Sequence, residues 1–109
     1  MLRICARLLF LLAPAVALAA GSTGVITLTN VNIQVITSPA IAYVYAAVSS
    51  GGCTYSNPAV LIMDSTNPQA GAQYGTLVAA KLGGNTVNIT TSGCSSSGYP
   101  IISSVYIES

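Results

Sequence analysis

Few residues in this chain could do chemistry. It has no histidine, and beyond Arg3 and Arg7 its charged side chains are Lys81, Asp64 and Glu108. A hydrolytic serine needs a base and a group to orient that base, and Lys81 is the one side chain able to act as the base. It falls near the end of a predicted helix, where a cation meets the helix dipole and exposed carbonyls, and that is its expected role. Asp64 and Glu108 do not form an acid–base pair by their placement: Asp64 serves the turn before the helix, and Glu108 stands at the fraying end. Without histidine or paired carboxylates no metal site is expected. The expectation is a non-enzymatic protein with no cofactor.

The remaining chemistry belongs to cysteine, tyrosine and neutral hydrogen-bonding side chains. Arg3 and Arg7, the apolar run Leu8-Leu9-Phe10-Leu11-Leu12 and Ala17-Leu18-Ala19 have the order of a secretory signal peptide with its cleavage site. The run is shorter than the roughly 20 residues that span a bilayer, and Pro14 interrupts it. The expected organisation is therefore a signal peptide, residues 1–19, and a single disulfide-linked β-rich domain, residues 20–109, secreted or periplasmic and of bacterial type. Cys5 leaves with the leader. Cys53 and Cys94 meet an oxidising compartment and are expected to pair, closing a loop of about forty residues worth about 4 kcal/mol on the chain-entropy model.

That bridge would bring together two loops holding Tyr55, Asn57, Ser95, Ser96, Ser97 and Tyr99. Aromatic rings and neutral donors and acceptors recognise polar, uncharged ligands, so these six are the candidate ligand-binding residues. The competing role is tyrosines that merely cover the bridge. The face of Thr86, Asn88 and Thr90 is the next candidate, and Asn88-Ile89-Thr90 also matches a glycosylation sequon. After leader removal the domain is nearly chargeless. It therefore lacks the clustered basic residues of nucleic-acid and anionic-membrane binders, and no later apolar run exceeds Ile41 to Val48, which excludes membrane insertion by a helix.

The elements that must position these residues are mostly strands. Val31, Ile33 and Val35 alternate with polar neighbours, whereas upstream Ile26 and Leu28 are the apolar members. The phase flips near Asn30, which requires a bulge or sharp bend. Ile41 to Val48 reads as a central strand apolar on both faces, with Tyr43 and Tyr45 together in the core or at an interface, and Val60 to Met63 as a short strand. Asn67-Pro68 is a helix start signal. Ala70, Tyr74, Leu77, Val78 and Leu82 then recur at helical spacing from Gln69 to Leu82, and Gly83-Gly84 stops the helix. Thr86 to Thr91 and Ile101 to Ile107 complete the set, the latter with Ile101, Val105 and Ile107 on one face and Ile102, Ser104 and Tyr106 on the other. The order β-β-β-α-β-β with a bent first strand is that of a five-stranded OB-fold-like small barrel, mainly β with one helix. The alternative is an open α+β sheet with the helix on one face.

With its signal peptide, disulfide-bearing hairpins, helix ending Leu77-Val78-Ala79-Ala80-Lys81-Leu82 before glycine, and Val87-Asn88-Ile89 strand, the chain resembles the B subunits of subtilase- and pertussis-type AB5 toxins. The resemblance implies an OB-fold subunit that assembles into a pentameric ring and binds cell-surface sugars. It carries over no individual sugar-contacting residue. Strands almost free of Lys, Glu and Asp also lack the usual guards against edge pairing, so a homo-oligomer is expected. Two functions remain in view: a carbohydrate-binding module, or an exported structural protein that pairs strand edges with a partner chain.

Overall fold

The computed structural model describes residues 20–38, 40–49 and 52–108. The expected leader, residues 1–19, lies outside them. Six strands and one helix follow in the order β1 (Gly21–Thr27), β2 (Ile33–Thr37), β3 (Ala40–Val44), β4 (Ala59–Ile62), α1 (Ala70–Gly83), β5 (Thr86–Cys94) and β6 (Pro100–Glu108). They form a single six-stranded sheet of order β1-β5-β6-β4-β3-β2. The β4–β6 contact is parallel and every other ladder is antiparallel. The described residues are thus mainly β with one helix, and their ladders describe an open six-stranded order with β1 and β2 at the ends.

The sixth strand arises where the hydrophobic phase flips. The expected bent first strand is divided at residues 28–32, so its first half pairs with β5 and its second half with β3. Leu28, fully buried, anchors the turn, and the Val31 N–H donates to its carbonyl at 3.0 Å. Lys81 holds the same turn from the helix. Its Nζ donates to the carbonyls of Leu28 at 2.9 Å, Thr29 at 3.3 Å and Val31 at 2.8 Å. The lysine therefore serves carbonyls of the bend rather than those of its own helix, because its direction on the helix faces the core side and a long stem can carry an ammonium past apolar neighbours.

The core alternates along the strands. Ala42, Val44, Ala46 and Val48 are buried, as are Leu61, Val87, Ile89 and Ile102, with Leu77 and Ala80 from α1. Fully burying a leucine, isoleucine or valine stabilises by about 1.5–3 kcal/mol. The Ile41 to Val48 segment is not apolar on both faces in its environment: Tyr45 and Ala47 are exposed, Tyr43 is half-buried, and β3 itself ends at Val44. The Tyr45 hydroxyl donates to Gln34 Oε1 at 2.9 Å, so this tyrosine lies on the surface, not in the core.

Helix α1 begins at Ala70, one residue after the expected Gln69. Asn67 organises that turn, accepting from the Gln69 N–H at its side chain and from the Ala70 N–H at its carbonyl. Asp64 serves the preceding turn by accepting from the Thr66 N–H at 2.8 Å. Leu82 is 82 % exposed, and Ala80 is buried in its place. The inward stripe runs through positions 70, 77 and 80, and Leu82 is rotated about 120° from Ala70 at 100° per residue.

Strand β6 also departs from simple alternation. Thr90 pairs with Ser104 but Thr91 pairs with Ile102, so Ser103 is an extra residue. This bulge resets the phase. Ile102 is buried, and Val105 packs against the same core from beyond the bulge. The expected grouping of Ile102 with Ser104 and Tyr106 is therefore corrected. Glu108 is paired opposite Thr86, whose hydroxyl donates to its carbonyl at 3.0 Å, rather than fraying.

Candidate functional site

Cys53 and Cys94 are disulfide-bonded, with Cα atoms 5.7 Å apart and a sequence separation of 41. Cys94 ends β5 and Cys53 lies in the segment between β3 and β4, so the bridge ties the β5–β6 hairpin loop to that segment. The backbone reinforces the junction. The Tyr55 N–H donates to the Gly98 carbonyl at 2.9 Å, and within the hairpin loop Ser95 N–H donates to Tyr99 O at 2.7 Å and Gly98 N–H to Ser95 O at 2.9 Å. Ser95 Oγ accepts from the Tyr99 N–H at 3.1 Å.

Three tyrosines meet at this junction. Tyr55 and Tyr99 have ring centroids 5.2 Å apart and planes inclined by 32°. Tyr99 in turn meets Tyr43 edge-on, with centroids 6.3 Å apart and planes at 84°. Both distances lie in the range in which aromatic pairs attract beyond their buried area. Tyr43 comes from β3, where it pairs with Val60, and Val60 pairs with Ile101 of β6. Val60 is buried although it stands outside the main core cluster. The tyrosines thus rest on an apolar row on the face of the sheet opposite the core.

Of the six sequence candidates, the structure gathers Tyr55 and Tyr99 directly. Tyr55 is 51 % exposed and Tyr99 half-buried, so Tyr55 offers the free ring and Tyr99 holds it. Asn57, Ser96 and Ser97 are exposed on the same two segments, while Ser95 is engaged within its loop. Tyr43 was missed as a member. Its alternation with Ala42 and Val44 places it on the outer face, a signal visible in the sequence, but only the register against Val60 and Ile101 brings it below Tyr99. Gly98 lets the two segments close: its φ is +92°, and a Cβ there would stand 2.8 Å from Thr54 Cβ.

No protein-family model, curated protein or solved structure matches the chain.

Two concavities elsewhere on the described residues are lined by neutral groups and small apolar side chains. One, of about 340 Å³, lies between α1 and the bulge of β6, where Gln73 Nε2 donates to Ser103 O at 2.9 Å and Thr90 Oγ1 is hydrogen-bonded with the Ser103 and Ser104 hydroxyls. The other, of about 580 Å³, runs past Val25, Val31 and Ala47. On the adjoining outer face, Asn88 accepts from the Ser22 hydroxyl at 2.8 Å, which ties β5 to β1. The carboxyl of Asp64 is held below its ordinary 3.8, first by the Thr66 hydroxyl and then by the Thr66 N–H, which bind the charged form. No group of three or more metal-ligating side chains occurs among the described residues, and none of their helices is long and apolar enough to cross a membrane.

Proposed function

We propose that the chain is a small exported, non-enzymatic binding module that recognises carbohydrate through the tyrosine platform. The observation that carries this reading is the Tyr55–Tyr99–Tyr43 cluster beside the disulfide junction, with Asn57, Ser96 and Ser97 exposed on the same two segments. Sugars present C–H faces to aromatic rings and hydroxyls to neutral donors and acceptors, which is the chemistry this surface offers. Two loops held together before binding cost less to order on binding. Replacing Tyr55 by alanine weakens sugar binding by about 1–3 kcal/mol, the scale of a contacting aromatic. Tyr99 is the poorer probe, because its removal also strips two ring contacts from the junction.

The same reading extends to the architecture and the assembly. We infer that β1 and β2 act as halves of one strand, curling the sheet into a small five-stranded barrel of OB type. Support comes from the parallel β4–β6 pair, the five-residue link between β1 and β2, and the bridge between Ser22 and Ser49 beyond β3. A homo-oligomer of toxin-B-subunit type is the proposed assembly, supported by exposed Val25, Val35, Tyr106 and Ile107 on strands with almost no charge. Sedimentation as a clean monomer at micromolar concentration contradicts it. The alternative, pairing of a strand edge with a partner chain, draws on β1 and β2 as ends of the strand order.

A further inference from the structure

Resting on the carbohydrate reading, the geometry points to the class of sugar: we propose that the platform takes an uncharged saccharide by one ring face and discriminates against sialylated and sulfated glycans. Lys81 is the one cation among the described residues, set against two carboxylates, and its ammonium is spent on the carbonyls of Leu28, Thr29 and Val31. An anionic ligand on the tyrosines finds no counter-charge there, and desolvating a carboxylate or sulfate without one is costly.

Backbone amides are the other means by which a protein holds an anion, as a nest of converging N–H groups. Here the N–H groups of Tyr55, Ser95, Gly98 and Tyr99 all donate inward, to Gly98 O, Tyr99 O, Ser95 O and Ser95 Oγ. These four donors are thereby taken up within the junction and are not free to converge on an anion. Exposed on these segments are the Tyr55 ring and the side chains of Thr54, Ser56, Asn57, Ser96 and Ser97, neutral groups that satisfy hydroxyls without a formal charge.

Ring spacing fixes the mode of contact. A saccharide sandwiched between two rings needs about 3.5–4.0 Å on either side, hence about 7 Å between facing rings, whereas the Tyr55 and Tyr99 centroids are 5.2 Å apart and inclined. No sugar enters between them. The outer face of Tyr55 is the contact, and it suits a pyranose with one continuous C–H face. Galactose, whose axial hydroxyl leaves such a face on the other side, is the model ligand.

The test is titration of the purified, disulfide-bonded protein and its Tyr55→Ala variant with lactose, chitobiose, sialyllactose and sulfated lactose, followed by amide NMR shifts at low salt and at about 0.15 M, where the Debye length is about 8 Å. The expected result is binding of a neutral disaccharide that moves the amides of Tyr55, Ser97 and Tyr99, changes less than about twofold with salt, and is lost in Tyr55→Ala. Tighter, salt-weakened binding of the sialylated or sulfated sugar at the same amides overturns the choice of an uncharged ligand and leaves the platform standing. Binding of none of these sugars, or binding that survives Tyr55→Ala unchanged, overturns the carbohydrate reading itself.

Discussion

Replacing Lys81 by methionine tests whether one cation holds the bend that divides the first strand. Methionine keeps most of the apolar stem, so the change removes the ammonium with little loss of packing. Three carbonyls lose their donor, at 2.9, 3.3 and 2.8 Å. The Thr29 contact is exposed and water replaces it, whereas the Leu28 and Val31 contacts are partly buried. At about 1–3 kcal/mol for each buried group left unsatisfied, and with partial relaxation, the variant loses about 2–4 kcal/mol. In a domain of this size that lowers Tm by roughly 10–20 °C. Urea unfolding followed by far-ultraviolet circular dichroism measures it, with the midpoint falling and the slope m unchanged. Lys81→Arg restores part of the loss, since a guanidinium keeps the charge but not the compact geometry. A Lys81→Met midpoint equal to that of the parent protein refutes the pinning of the bend.

Three further outcomes follow from other contacts. Gly21→Val destabilises by about 1–3 kcal/mol through overpacking, because a Cβ at Gly21 stands 2.7 Å from both Ser49 O and Val48 Cγ1; amide exchange at Ser22 and Ser49 accelerates if that approach closes the sheet, and unchanged exchange counts against it. Replacing Cys53 and Cys94 together by serine costs about 4 kcal/mol or less on the chain-entropy model for a separation of 41, and denaturant titration against the parent reads it directly. Because the Asp64 carboxyl is held below 3.8 in the folded protein, its contribution is fully present above that value and is lost as pH falls through the lowered folded pKa; Asp64→Asn removes this part of the acid sensitivity, and an unchanged acid-unfolding profile argues against the Thr66 contact.

Local chemistry was the most legible part of the sequence. The disulfide, the helix and its stop at Gly83-Gly84, and the turn role of Asp64 follow from residue types at fixed spacing. The bend near Asn30 was visible as a flip in alternation, but that it splits the strand between two partners depends on ladders with β5 and β3, which no local pattern encodes. The facing of β6 failed for a related reason: one extra residue at Ser103 shifts every later side chain by one phase. Leu82 is hydrophobic yet exposed because the helix rotation that sets Ala80 inward turns it to solvent. At the site, Tyr55 and Tyr99 were legible because the disulfide forces their loops together. Tyr43 was not, since its place beneath Tyr99 is set by register.

The central claim is that the exposed face of the Tyr55 platform binds a sugar. A glycan array probed with the purified, disulfide-bonded protein and with its Tyr55→Ala variant, together with the Tm of each, tests it most directly. The account predicts retention of a group of uncharged glycans by the parent protein, their loss in the variant, and little change in Tm, because Tyr55 is half exposed and makes one ring contact. An array on which the parent retains nothing, or on which the variant retains the same glycans, contradicts it.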